Sequence, residues 1–161
     1  MTNVSFEYVT GGCNEHPSPP KTTDAEFLLM DEIAFQVGQI AVYVNQIPNC
    51  HIIYPSDPEQ KHRAEDSMIA WAWNEYLLSG DPNWLPRFPM AKAGFACMRA
   101  AEEYIFVKGI ADIKGWLVSG ASKRGWTTWM IGAATCPKCP KIIGIVPIVP
   151  IVPDLSKSMH R

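Results

Sequence analysis

The feature that most constrains the fold is the alternation of short β-rich runs with longer segments of helical periodicity along the 161 residues. The β-rich runs contain many Val, Ile, Tyr and Phe residues, and the segments between them repeat apolar residues every three to four positions. This pattern predicts strands at residues 4–9, 40–44, 116–119 and 142–152, and helices at residues 25–37, 68–77, 90–107 and 122–134. Strands separated by crossover helices form parallel sheets, so we predict an α/β protein with a mostly parallel sheet flanked by helices.

The charge distribution and hydropathy argue against a nucleic-acid-binding protein and against a membrane-spanning protein. Residues 1–80 carry 3 Lys or Arg against 11 Asp or Glu, and residues 81–161 carry 11 against 5. The opposite charges favour attraction between two halves of one domain, and the basic residues form no run, so we expect no nucleic-acid partner. No run of about 18 apolar residues predicts a membrane span, and the first residues do not have a signal-peptide pattern.

The five cysteines are irregularly spaced, which does not predict a disulfide framework. Cys136 and Cys139 form a Cys-x-x-Cys unit, for which a local disulfide or two ordinary turn cysteines is favoured over a redox pair. One such pair cannot complete a zinc site, so we expect neither a metal nor a cofactor. The final β-rich run contains Pro147 and Pro150, which predicts a short strand or an edge strand.

A serine turn between strand and helix is the main candidate site. Residues 120–125 read Gly-Ala-Ser-Lys-Arg-Gly, which places Ser122 between an apolar strand and a helix. Such a turn exposes a serine near backbone amides that stabilise an oxyanion. The usual pattern is Gly-x-Ser-x-Gly, and here Arg124 stands where the second glycine belongs, so it has to point out of the turn. Two interpretations stay open: Ser122 is a nucleophile, or it caps the helix.

The Gly11-Gly12 pair follows the first predicted strand. Hydrolases with a mostly parallel α/β sheet bind the oxyanion with one amide beside the serine and a second amide in such a loop, which makes Gly12 a candidate for the second position. A flexible strand end is the alternative of equal weight.

Several segments together resemble the PhoPQ-activated pathogenicity-related protein family, which includes secreted autocrine proliferation repressors. They are residues 119–129 (Ser-Gly-Ala-Ser-Lys-Arg-Gly-Trp-Thr-Thr-Trp), residues 145–149, 9–14, 46–49, 65–66, 79–81 and 89–93. The resemblance implies an α/β-hydrolase-like fold with Ser122 at the nucleophile position. Residues 120–125 are also similar to the serine turn of glucuronoyl esterases, in which a basic residue after serine holds the oxyanion. That likeness suggests Lys123 for the role, and less strongly Arg124; the alternative is that both are solvated, more so for Arg124.

A serine nucleophile also needs a histidine base and an acid that orients the histidine, and the sequence does not clearly supply either residue. After Ser122 the sequence offers Asp154 as an acid, for which an ordinary loop aspartate is the favoured alternative, and His160, which is not favoured as a base. We therefore expect residues 1–161 to form a single but incomplete α/β-hydrolase-like domain. Residues Glu65 and Asp66 are expected to place negative charge at a helix start.

Two functions follow as hypotheses. The first is a serine hydrolase of esterase or amidase type that acts on a small-molecule or peptide acyl substrate, with the amides of Lys123 and the Gly12 loop around the oxyanion. The second is a non-catalytic signalling protein on the same scaffold, whose partner is a cell-surface receptor. The resemblance implies secretion, whereas the sequence itself leaves the compartment open.

Overall fold

The computed structural model describes residues 4–13, 19, 21–48, 50–134 and 136–149. The strands are β1 (Val4–Val9), β2 (Ile40–Val44), β3 (Gly115–Ala121) and β4 (Ile142–Ile148). The helices are α1 (Ala25–Val37), α2 (Glu65–Ser79), α3 (Arg87–Val107) and α4 (Lys123–Ala133), with a short 3-10 helix at Pro82–Trp84 before α3. Their order along the chain confirms the predicted α/β fold.

The four strands form one parallel sheet in the order β2-β1-β3-β4. The chain moves from β1 to β2 on one side, and then returns past β1 to place β3 on its other side. Val9 at the end of β1 therefore lies between Val44 of β2 and Gly120 of β3. In open parallel sheets, ligands bind at the carboxyl ends of the strands where the strand order reverses, and here that point lies between β1 and β3.

The main core lies between the sheet and the helices α3 and α4. Val9, Trp116 and Val118 of the strands pack against Met98 of α3 and Ile131 of α4, and none of these five side chains is exposed. Burial of large apolar side chains contributes roughly 1.5–3 kcal/mol each. Val9, at the carboxyl end of β1, therefore belongs to this core, which anchors the start of the following loop.

Glycine and proline residues determine where several helices and strands begin and end. Gly38 and Gly80 end α1 and α2 with positive φ angles of 66° and 72°, as glycine allows. Helix α3 begins at Arg87, three residues before the prediction, because Pro89 in its first turn occupies a position that needs no intrahelical N–H donor. Strand β4 contains Pro147 at the edge of the described sheet, which confirms the prediction of an edge strand.

The cysteines correct one expectation. The structure contains a disulfide between Cys136 and Cys139, which the local spacing had favoured, and a second between Cys13 and Cys50, which irregular spacing had argued against. The second bridge joins residues 37 positions apart, so it could not be read from local sequence. It connects the loop after β1 to the loop after β2, both at the carboxyl edge of the sheet.

Candidate functional site

Ser122 occupies a sharp turn between β3 and α4. Its φ and ψ angles are 56° and −118°, a conformation that a non-glycine residue adopts only under strain of about 1–3 kcal/mol. The backbone N–H of Ser122 donates to the Ile148 carbonyl of β4 at 2.9 Å, and the Trp126 N–H donates to the Ser122 carbonyl at 3.2 Å. Both neighbouring elements thus hold the strained turn in place.

The Ser122 side chain does not cap the helix. Ser122 stands at the N-cap position of α4, but its hydroxyl makes no capping hydrogen bond. A helix-capping serine normally accepts from an amide two or three residues later while its own φ is negative. The observed backbone therefore does not match the capping interpretation and leaves the hydroxyl available for other chemistry.

The strain at Ser122 predicts a stability difference between two small substitutions. A Ser122→Gly variant relieves the positive φ, whereas Ser122→Ala retains it. We expect Ser122→Gly to be more stable than Ser122→Ala by about 1 kcal/mol in denaturant unfolding, after allowance for the flexibility that glycine adds to the unfolded chain. Equal stability of the two variants would show that the turn is not strained.

The first backbone amides of α4 point toward the carboxyl edge of the sheet. The N–H groups of Lys123, Arg124 and Gly125 belong to the first turn, where an α-helix offers no internal acceptor. The helix dipole adds about half a positive charge at this end. Such amides can stabilise a negative oxygen that develops beside Ser122.

The Gly11-Gly12 loop lies beside this turn, as the register of β1 and β3 requires. Gly12 has a φ of 118°, which confirms that the loop uses the conformational freedom of glycine there. At Gly120, an added Cβ would meet the Arg124 carbonyl at 2.8 Å and the Val9 carbonyl at 2.9 Å, so β3, β1 and the start of α4 pack without room for a side chain there. The structure therefore brings Ser122 and the loop that contains Gly12 to the same edge of the sheet.

The alternative in which Lys123 and Arg124 are solvated does not hold. Their exposed fractions are 8% and 7%. Arg124 binds the Glu65 carboxylate with both terminal nitrogens, and Lys123 Nζ lies 2.8 Å from Glu65 Oε2 and 3.0 Å from Asp66 Oδ1. Buried cations need paired carboxylates, and the first turn of α2 supplies them. Glu65 and Asp66 thus do lie at a helix start, as predicted, but they also neutralise the serine turn.

Arg124 joins four segments of the site. Besides binding Glu65, its Nε donates to the Ile47 carbonyl at 2.8 Å, in the loop after β2. Its guanidinium also lies against Gly11, where an added Cβ would meet Arg124 at 2.3 Å. A side chain at residue 11 would therefore displace the guanidinium from its place beside the β1 loop. The large residue that departs from the Gly-x-Ser-x-Gly pattern therefore fastens the loops around Ser122.

The environment of Glu65 keeps it ionised. Burial alone raises its pKa, but hydrogen bonds from Arg124 and Lys123 outweigh this and lower the pKa to about 2. Glu65 also has a positive φ of 52°, so the chain is held in an unfavourable backbone conformation where this carboxylate reaches the two cations. The interaction could not be read from local sequence, because Glu65 and Arg124 are 59 positions apart.

Replacing Glu65 is expected to destabilise the protein. A Glu65→Gln variant leaves Arg124 and Lys123 without their shared carboxylate, and we expect a loss of about 2 kcal/mol at pH 7, less than for a fully buried pair because Glu65 is partly exposed. The folded pKa lies below the unfolded value of 4.5, so this contribution is complete above 4.5 and disappears as pH falls toward 2. The measurement is urea unfolding from about pH 7 to pH 3.

Glu75→Gln is the matched control, because Glu75 lies on the same helix and contributes only its backbone carbonyl, to Ser79. This variant is expected to stay within about 0.5 kcal/mol of the native protein at every pH. If Glu65→Gln unfolds at the same urea concentration as Glu75→Gln at pH 7, the carboxylate does not support the turn.

The other predicted site residues lie beyond the described part of the chain. Asp154 and His160 belong to residues 150–161, so their proposed roles remain predictions. Among the described residues no side chain hydrogen-bonds the Ser122 hydroxyl. No group of three metal-ligating side chains occurs within the described ranges, and no helix there has both the length and the hydropathy needed to cross a bilayer.

Comparisons with known proteins identify one family along the chain. The family model for "PhoPQ-activated pathogenicity-related protein" matches residues 1–161. Autocrine proliferation repressor protein A from Dictyostelium discoideum is 37% identical over 132 residues, which make up 81% of this chain and 26% of that protein. The chain thus spans about a quarter of the length of this relative. No solved structure matches the chain.

Proposed function

The chain belongs to the PhoPQ-activated pathogenicity-related protein family, and from this membership and the geometry of its serine turn we propose that it is part of a serine hydrolase of esterase or amidase type, with Ser122 as the nucleophile. The observation that carries the proposal is the strained backbone of Ser122, at φ 56°, between β3 and α4. Strained residues of this kind concentrate at functional sites, and a nucleophilic serine is found on such a turn in hydrolases of the α/β type.

In the proposed reaction, the Ser122 oxygen attacks the acyl carbon of an ester or amide. The bond to the alcohol or amine breaks as that group leaves with a proton, and water then hydrolyses the acyl-serine to the acid. The carbonyl oxygen gains negative charge, which the N–H of Lys123 and an N–H of the Gly11-Gly12 loop stabilise. The Lys123 ammonium adds positive charge, although its carboxylate partners Glu65 and Asp66 already bind it. The proposal also needs a base to take the Ser122 proton, and that base has to come from outside the described ranges.

The first test is to identify the residue that a serine-reactive probe modifies. The full-length protein is treated with a fluorophosphonate, digested and analysed by tandem mass spectrometry. We expect a single adduct on Ser122. An adduct on a different serine would move the nucleophile elsewhere, and failure of any serine to react would argue against hydrolase chemistry.

A second candidate function is signalling without catalysis. The similarity to a protein named as an autocrine proliferation repressor supports this alternative, in which the scaffold binds a cell-surface receptor. It predicts that a Ser122→Ala variant keeps its full effect on cell proliferation. Loss of that effect in a correctly folded variant would count against it.

Secretion fits both candidate functions, and we propose it for this chain. The disulfides Cys13–Cys50 and Cys136–Cys139 support the proposal, because disulfides persist mainly in oxidising compartments outside the cytosol. Detection of the protein in the culture medium of its source cells tests this. Retention of the protein inside the cells with all its thiols reduced would contradict it.

A further inference from the structure

An apolar pocket lies beside the serine turn, on the side of helices α2 and α4. Its volume is about 480 Å³, within the range of small-molecule sites. The side chains that line it include Trp73, Tyr76, Phe88, Trp126 and Met130. Trp73 and Trp126 meet edge to face with ring centroids 5.7 Å apart. Aromatic walls of this kind accept a flat or flexible apolar group of modest size.

One charged residue, Arg87, also lines the pocket, and no carboxylate of the described residues lies within ion-pair distance of it. Its exposed fraction is 7%, its guanidinium stacks on the Trp126 ring at 4.2 Å, and one terminal nitrogen donates to the Lys123 carbonyl at 2.7 Å. Within the described ranges its Nε has no hydrogen-bond acceptor and the residue forms no ion pair. Burial lowers the pKa of Arg87 to about 10, still well above neutral pH.

A buried cation without a hydrogen-bonded carboxylate is unusual, because removing a charge from water costs several kcal/mol unless a partner compensates. The neighbouring cations show the normal arrangement: Lys123 and Arg124 share Glu65. Arg87 differs from them because its guanidinium lies on the Trp126 ring at the pocket, and Asp66 of that helix start raises its pKa only through longer-range attraction, without an ion pair. An anionic group that enters with an apolar ligand would supply the missing partner.

We propose that this pocket binds a small apolar or aromatic carboxylic acid, with the hydrocarbon part among Trp73, Trp126 and Phe88 and the carboxylate directed to Arg87. Arginine recognises carboxylates in planar, paired hydrogen bonds, and aromatic rings provide the apolar contact area. The proposal goes beyond the hydrolase function and does not depend on it, because none of these residues takes part in the attack by Ser122.

The test uses 4-phenylbutyrate and its neutral isostere 4-phenylbutyramide as probes in isothermal titration calorimetry with the purified protein. We expect the carboxylate to bind at least about tenfold more tightly than the amide, and to change the fluorescence of the two pocket tryptophans. In an Arg87→Met variant this preference is expected to disappear. Equal binding of the two probes to the native protein would overturn the proposal.

Two further variants test the pocket in case Arg87→Met does not fold. Leu77 lines the pocket with an exposed fraction of 76%, whereas its neighbour Leu78, 77% exposed, does not line it. A Leu77→Glu variant places a negative charge at the pocket and is expected to weaken phenylbutyrate binding at least about fivefold. Leu78→Glu is expected to bind like the native protein, and an equal loss in both variants would contradict the assigned site. Ser122→Ala should bind normally, which separates this proposal from the hydrolase proposal.

Discussion

A Ser122→Ala variant of the full-length protein is expected to lose fluorophosphonate labelling and to hydrolyse a simple ester at least about 10³-fold more slowly than the native protein. The hydroxyl is the only group that the substitution removes, and loss of a serine nucleophile leaves only the catalysis that binding and the oxyanion amides supply. Alanine, like serine, has a Cβ atom, so the variant keeps the same strained backbone at φ 56° and the turn keeps its geometry.

A Ser79→Ala variant provides the control for this experiment. Ser79 is exposed at the end of α2, where its hydroxyl donates to the Glu75 carbonyl, and it has no part in the proposed site. It is expected to label at the native rate. If Ser122→Ala, with native circular dichroism, is labelled as fast as Ser79→Ala, a different residue is the nucleophile. If none of the three proteins reacts, the signalling function becomes the better account.

Most elements of the fold could be predicted because their information is local. The β-rich run at Ile40–Val44 and the helical periodicity of Ala25–Val37 each depend on residues that are neighbours in sequence. The serine turn was predictable for the same reason, since Gly120 and the strand and helix around Ser122 lie within one short segment.

The partners of the serine turn could not be predicted in this way. Solvation was an open alternative for Arg124, because the first turn of a helix gains nothing from positive charge. Its carboxylate, Glu65, begins a different helix, and its carbonyl partner, Ile47, lies in the loop after a different strand. The sheet order β2-β1-β3-β4 brings these segments together, and the order of strands is a long-range property. The disulfide between Cys13 and Cys50 was missed for the same reason.

Glu7 is a further case in which the surroundings, not the local pattern, determine the chemistry. It lies in the middle of β1 between two strands, with an exposed fraction of 0%. Neither carboxylate oxygen has a hydrogen-bond partner in the described part of the chain, and Oε2 faces Gly94 of α3, where an added Cβ would meet it at 3.4 Å. Burial raises the pKa of Glu7 to about 8, so the folded protein holds this carboxyl protonated at neutral pH.

The raised pKa of Glu7 predicts that folding stability declines as the pH rises from about 4.5 to about 8. The unfolded chain releases this proton above its ordinary pKa of 4.5, whereas the folded protein releases it only near 8. The contribution of Glu7 is therefore complete below pH 4.5, falls by about 1.4 kcal/mol per pH unit between 4.5 and 8, and is fully lost once the pH has passed 8. In a Glu7→Gln variant this slope is absent, so its unfolding free energy relative to the native protein should rise by roughly 4 kcal/mol between about pH 5 and pH 8.

Urea unfolding at several pH values measures this difference, with Glu103→Gln as the matched control. Glu103 is exposed on α3, the helix that also covers Glu7, and the same substitution there should leave the pH profile of the native protein unchanged. Cys97 is the titratable group of α3 whose pKa responds to Glu7: burial raises that pKa first and the Glu7 charge raises it further. A Cys97→Ala variant with a native pH profile would assign the slope to Glu7. A Glu7→Gln profile parallel to that of the native protein would show that the carboxyl is ionised in the folded state.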